Sequence, residues 1–431
     1  MSNNKSVKEV CELFQSMEKK YSLLDMDIQG VKIWQYMRMT LYYKVSTELG
    51  ILFQPHLTFG LTSKLKSLFS VLFSSLFFNP FYMRKDADAL FIEHERHKKY
   101  QGKNIDIYSY FLQREMLNAG KKIQIIEPHR LGLHYKQQEQ IRYHSDFIYL
   151  VVGLFRNFFV KRNCPNVKWL SEMVEKEISL QFGKKVNIKN DLYKGIGRFK
   201  IQCWLYSILF KIKRPKEVYV VVSYGQGDIT FAAKKLGIPV VELQHGVISQ
   251  FHLGYSFPSR VRKLDYFPDR IYLWSQYWKS QLFAPISADA ISIREFDYLK
   301  VMREKYRGVV KKKQAIILSQ GALGDRIAVA ISKNLEIFSS LKLIYKLHPG
   351  EYGRYQYYKK LMELKSSGQV EVVEECDLYQ IFAESQYQIG VFSTALFEGV
   401  EFGCKTILID LPGIEYMKDF IVQYDVQVIA S

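Results

Sequence analysis

Cysteine is scarce and scattered in this chain: Cys11, Cys164, Cys203, Cys376 and Cys404 are the five among 431 residues. The number is odd and no pair has metal-ligand spacing, so neither a disulfide-stapled scaffold nor a zinc module is expected, and a reducing cytosol fits. No cleavable leader is expected either, since the first 30 residues are charged and hold no continuous apolar stretch. Walker and dinucleotide fingerprints are absent. So are zinc-finger spacings, an aromatic-basic RNA-binding signature and a recognition helix, which sets nucleic acid aside as a partner. The chain shows no short-period repeat and no low-complexity segment. Carboxylates are in deficit: 43 Asp and Glu face 61 Lys and Arg, a net charge of +18. That excess points to an anionic partner, either a phosphorylated substrate or acidic lipid headgroups.

What is present is an ordinary globular composition, 48% apolar and 24% charged, long enough for two or three domains. Residues 1–60 read as helical. Residues 67–83 form the most apolar stretch, with Lys64 and Lys66 before it and Arg84 and Lys85 after it. Seventeen residues interrupted by Pro80 and four serines make a weak span. Two readings stay open: a helix lying in the cytoplasmic leaflet between flanking cations, or a buried core helix.

From Asp86 onward strands and helices alternate. Ala89 to Ile92 reads as a strand, Asn104 to Tyr108 as the opening of a helix that ends near Gly120, and Ile123 to Ile126 as the next strand. Val218 to Val222, Asp228 to Leu236 and Ile238 to Leu243 make a βαβ unit. Residues 286–310 look like a charged, irregular linker. A second alternating block then runs from about Lys311 to Ile409. The expected organisation is a helical, possible membrane-associated extension over 1–85, an acceptor domain over 86–285 and a donor domain over 286–431. The expected fold is α/β, with two Rossmann-like domains facing a cleft and a helical N-terminal extension.

The chemistry gathers at strand ends. His348-Pro349-Gly350-Glu351 closes the apolar run Leu341 to Leu347, and proline ends the strand because it lacks a backbone donor. The His348 imidazole can then donate to a phosphate, or it is a structural loop histidine. Ser393-Thr394 precedes a helix start, which is an anion site or an ordinary N-cap. Glu398, one turn on, can accept from ribose hydroxyls or is a helix charge near the dipole's positive end. Gln320 and Gly321 follow the first strand of the block and suit a loop that approaches a phosphate. In the first block Gln244-His245-Gly246 and Ser223 to Asp228 follow strands. His245 and Asp228 are candidates for the base toward an acceptor hydroxyl, with a turn histidine and a helix cap as the alternatives. Glu95, after the earliest strand, is a third candidate, with a solvated charged loop as its alternative.

These motifs in this order resemble bacterial glycosyltransferases of the two-Rossmann (GT-B) type that build capsules and lipopolysaccharides, with sialyl- and Kdo-transferases nearest. The likeness covers roughly residues 86–431. It implies that His348, Pro349, Ser393 and Thr394 bind the donor nucleotide and its phosphate, and Gln244-His245-Gly246 also looks like this superfamily. The acidic-acidic-Gly motif of the sialyltransferases has no counterpart before His245. Such folds often add a returning helix, and the end soon after Val428 is read as a truncation. The resulting expectation is a metal-independent enzyme without a cofactor, cytoplasmic and peripheral to the inner membrane. Its partners would be an activated sugar donor, a lipid-linked glycan acceptor and the anionic inner-membrane surface. A phosphoribosyl- or polyol-phosphate transferase and a non-catalytic assembly scaffold are the alternatives.

Overall fold

Short runs of Val, Ile and Leu bounded by Gly and polar residues become parallel strands in the computed structural model, which describes residues 6–52, 61–130, 132–136, 138–259 and 261–431, without the side chains of 61–64. In chain order the first strands are β1 (Ala89–Ile92), β2 (His97–Tyr100), β3 (Lys103–Asp106), β4 (Ile123–Glu127), β5 (Tyr143–His144), β6 (Val218–Val221), β7 (Val240–Leu243), β8 (Arg270–Leu273) and β9 (Ile291–Ile293). The rest are β10 (Lys312–Leu318), β11 (Lys342–Lys346), β12 (Glu371–Val373), β13 (Ser385–Gly390), β14 (Lys405–Ile409) and β15 (Val426–Ile429). One sheet has the order β5-β4-β1-β6-β7-β8-β9 and the other β12-β11-β10-β13-β14-β15. Every ladder within the two sheets is parallel. The central strands β1, β6 and β7 are buried along their whole length, as a sheet covered on both faces requires. The fold class is the one expected: two Rossmann-like α/β domains facing each other, with additional N-terminal helices.

Each sheet starts with an interior strand and grows outward in both directions. The order therefore reverses between β1 and β6 in the first sheet and between β10 and β13 in the second. Ligands of open α/β sheets bind at such reversals, beyond the carboxyl ends of the strands.

Two local expectations need correction. Residues 104–108 do not open a helix: β2 and β3 form an antiparallel hairpin, and the helix begins at Tyr110. Gln101 (φ 48°) and Gly102 (φ 77°) both adopt the left-handed turn conformation that a tight hairpin demands. Residues 286–310 are not an irregular linker, because β9 pairs with β8 and a helix spans Asp297–Lys305. The first sheet thus runs past residue 285.

The helices Val7–Tyr21 and Ile33–Glu48 share one apolar core with residues of 167–199 and 248–278. A buried ion pair fixes them further: Arg38 Nε donates to Glu18 Oε1 at 2.6 Å, and Arg38 Nη1 donates to the carbonyl oxygens of Leu253 and, at 2.9 Å, Ser256. Residues 6–52 are therefore built into the first domain. A further core mixes the domains, bringing Ile105, Ile107 and Tyr110 together with Ile316, Leu396 and Phe420.

Candidate functional site

Three strand ends of the second sheet meet at one place. Gln320, two residues past β10, donates from Nε2 to the Phe392 carbonyl and accepts from Phe392 N–H at 3.3 Å. This bridge spans the β10/β13 reversal and holds the loop that presents Ser393 and Thr394. Gly321 lies against His348, so close that a Cβ built there would stand 3.2 Å from Nδ1. Ser393 caps the helix Thr394–Glu401, its hydroxyl accepting from Ala395 N–H at 3.2 Å. The Ser393 hydroxyl therefore acts as a cap in this structure, and a helix N-terminus is a place where backbone N–H groups can meet an anion.

His348 caps the short turn after it. Its Nδ1 accepts from Gly350 N–H at 3.1 Å, which leaves the proton of the neutral ring on Nε2. Glu351 is buried and accepts from His348 N–H at 2.7 Å and from the Ser319 hydroxyl at 2.9 Å. It fixes the loop, and burial raises its pKa. Pro349 is the first residue of that turn. The His348 residue faces solvent, yet its ring titrates below its ordinary value, through desolvation first and then through Lys346, Arg96 and Arg354.

Those three cations went unnoticed in the sequence. Arg354 donates to the carbonyls of Gly350, at 2.8 Å, and Gly321, tying the two loops. Lys346 ends β11 and donates to the Leu347 carbonyl at 2.6 Å. Arg96 comes from the first domain, one residue past Glu95. It donates to Tyr108 OH at 3.0 Å and lies 3.9 Å from Glu398 Oε1. Glu398 is buried, its Oε2 accepting from Tyr379 OH at 2.8 Å. Its Oε1 has no hydrogen-bond partner among the described residues.

In the first domain the loop after β7 carries His245. Nε2 lies 3.3 Å from Tyr224 OH and Nδ1 3.4 Å from Tyr255 OH. The His94 ring stacks 5.9 Å away. Burial, then His94, His252 and Arg96, hold His245 well below the usual imidazole range, so it is neutral at pH 7. Two buried carboxylates shape this wall. Glu242 accepts from Tyr255 OH at 2.6 Å and from Ser223. Asp106 accepts from the backbone N–H groups of His94, at 3.1 Å, and Tyr108, at 2.9 Å. The domains touch at this point: a Cβ on Gly246 would lie 3.2 Å from Thr394 Oγ1.

The other two candidate bases sit differently. Asp228 is buried against Tyr36 OH at 3.4 Å and its own helix start, with its pKa raised by burial against the pull of Arg198. Glu95 is exposed, and its carbonyl accepts from Tyr135 OH at 3.1 Å.

A separate histidine cluster lies at the β4–β5 edge. Glu127, His134 and His144 bring one potential metal ligand each within 4.8 Å. His134 bridges Glu127 (3.1 Å) and Asp146 (2.6 Å), and its ring stacks on His144 at 3.5 Å and 10°. An ion binds in the plane of an imidazole, so one ring must leave the stack before both can ligate it. Burial opposes charge on His134, but the two carboxylates raise its pKa to about 9.

No protein-family model matches the chain, and no curated protein matches it. Among solved structures it is similar to UDP-GlcNAc 2-epimerase from Methanocaldococcus jannaschii in complex with UDP-GlcNAc and UDP, at 12% identity over 79% of this chain and 88% of that one (TM-score 0.46). It is also similar to UDP-GlcNAc 2-epimerase from Neisseria meningitidis bound to UDP-GlcNAc, at 12% identity over 80% and 87% (TM-score 0.46). A third is MurG of Acinetobacter baumannii, at 11% identity over 79% and 85% (TM-score 0.46).

Proposed function

We propose that this protein is a glycosyltransferase that moves a sugar from an activated, phosphorylated donor, such as a nucleotide sugar, to a growing, lipid-linked bacterial surface glycan at the inner membrane. The observation that carries this reading is the convergence of His348, Gly321 and the Ser393-Thr394 helix start at the β10/β13 reversal, ringed by Lys346, Arg354 and Arg96. Such a site suits a departing phosphate.

The acceptor hydroxyl attacks the anomeric carbon, a carbon–oxygen bond forms, and the bond from that carbon to the phosphate oxygen breaks. The electron pair leaves on the phosphate, where His348 Nε2–H, the helix N–H groups and the cations meet it. The acceptor proton goes to His245, whose ring is neutral and lies next to Thr394 through Gly246. Lys346, Arg354 and Arg96 can offset the phosphate charge, so the proposed transfer is written without a metal. Glu398 Oε1, an unsatisfied buried acceptor, suits a donor hydroxyl.

The test is a panel of activated donors with transfer read by mass. The expected result is transfer from one donor class together with thermal stabilisation of the chain by that donor. The absence of both across the panel overturns the reading.

A further inference from the structure

The apolar segment at residues 67–83 is not a core helix. The helix Leu61–Phe77 turns Val71, Ser74 and Ser75 inward and leaves Phe69 (71% exposed), Phe73 and Phe77 in solvent. The inward face is fixed by polar bonds. The Ser70 hydroxyl donates to the Gly132 carbonyl at 2.6 Å, and the Ser74 hydroxyl contacts His144 Nδ1 at 2.8 Å and donates to Asp146 Oδ2 at 3.0 Å. A side chain at Gly132 would collide with the Ser70 backbone, so the contact is close. The helix therefore lies flat on the first domain. Its 17 residues cover about 26 Å, less than a bilayer core of about 30 Å. Among the described residues no helix is long and apolar enough to cross a membrane.

A second element continues the surface. Asp146, which binds Ser74, starts the helix Asp146–Phe155. At its far end Leu154, Phe155 and Phe158 (81% exposed) stand in solvent. The exposed charges beside both elements are mostly cationic, and the carboxylates at their borders are already engaged, Asp86 with Arg214 and buried Asp146 with Ser74 and His134. Residues 65–85 contain Lys66, Arg84 and Lys85, residues 147–163 contain Arg156, Lys161 and Arg162, and neither window contains a carboxylate. Lys66, Arg84, Lys85, Lys161 and Arg162 are exposed.

From these observations we infer that the helices Leu61–Phe77 and Asp146–Phe155, with the segment after the latter, form one membrane-docking face that seats the first domain in an anionic leaflet. Aromatic and leucine side chains enter the interface, and the flanking cations meet lipid phosphates. A second copy of this chain fits the face less well, because a two-fold contact sets a patch against itself and would oppose cations to cations. The inference rests on the membrane placement proposed above and is independent of the transfer chemistry.

The experiment is co-sedimentation of the full chain with vesicles of phosphatidylcholine, with and without phosphatidylglycerol. The wild type is expected to bind the anionic vesicles and to release as salt rises. Phe73→Glu with Phe158→Glu is expected to weaken binding by about tenfold or more. Charge reversal at Lys85 and Lys161 is expected to remove the preference for phosphatidylglycerol. Unchanged thermal melts of these exposed-site variants confirm folding, and donor-induced stabilisation in the same variants reads the transfer site separately. No binding to anionic vesicles overturns the membrane placement and this face together. Vesicle binding that survives the double variant overturns the face alone. A concentration-dependent dimer that the double variant dissolves, without vesicle binding, assigns the patch to a second copy and also overturns the inference.

Discussion

Gly246 and Thr394 meet across the cleft, with room for a hydrogen at Gly246 and little more. Gly246 does not adopt a positive φ, so a side chain there is not strained by the backbone and acts only by pressing on the Thr394 loop. Gly246→Ala is expected to be tolerated with a modest loss. Gly246→Val is expected to lower kcat/KM by about tenfold or more, because it displaces the helix start that faces the leaving group. Thermal melts should move little. Equal transfer rates for the valine variant and the wild type would show that the two loops do not share one site.

Arg96 and Glu398 form another bridge between the domains. A guanidinium that contacts a donor phosphate contributes about 1.5–3 kcal/mol, so Arg96→Gln is expected to weaken donor binding about ten- to a hundredfold. Glu398→Gln keeps the shape but changes an acceptor-only oxygen pair into a mixed group. Its effect is expected in KM for the donor, with kcat nearly unchanged. Calorimetric titration of the donor that stabilises the chain checks both, and wild-type affinity in Arg96→Gln removes that residue from the anion site.

His348 has two functions that a pair of substitutions can separate. Its Nδ1 caps the turn, and its Nε2–H is free to meet a phosphate. His348→Asn preserves a capping oxygen, whereas His348→Ala loses both functions. Transfer is expected to fall by about 10²–10³ in both variants, as for loss of one transition-state donor. The melting temperature is expected to fall mainly in the alanine variant. Full activity in His348→Asn would mean that the residue is only a cap.

The strand-end motifs were legible in the sequence because proline, glycine and small hydroxyl residues mark where buried runs stop. That placed His348, Gly321, Ser393, Thr394 and His245 where the strands end. Arg96, Lys346 and Arg354 were not legible, since long side chains reach the site from positions that carry no motif. Arg96 follows a candidate loop by a single residue and acts across the domain boundary. Glu351 was legible only as the last residue of the His-Pro motif, because its burial against Ser319 depends on a contact 32 residues away. The packing of residues 6–52 into the first domain is likewise a long-range matter. The second half of the docking face was hidden for a different reason: an apolar run such as residues 147–155 reads the same whether it is buried or exposed.

Stability is expected to fall on mild acidification. Burial brings His94, His144 and His252 down to about 4, and His245 is also held low. Between the ordinary value of 6.5 and about 4, the unfolded chain binds protons that the folded chain refuses. The folded state therefore loses ground as pH falls through that window, at about 1.4 kcal/mol per pH unit for each fully expressed group. His134 works in the other direction. Its value of about 9 stabilises the fold below pH 6.5, and that contribution is lost as pH rises through 9. These histidines alone thus place the highest melting temperature near pH 6.5, with a fall toward pH 5. His252→Gln should flatten the acid limb by removing one of the reluctant imidazoles. The buried carboxyls Asp106, Asp228, Glu242 and Glu351, which desolvation holds above the ordinary carboxyl range, gain stability over the same window and offset part of this loss. The check is therefore the comparison: an acid limb that is the same in His252→Gln and the wild type contradicts the burial of that ring.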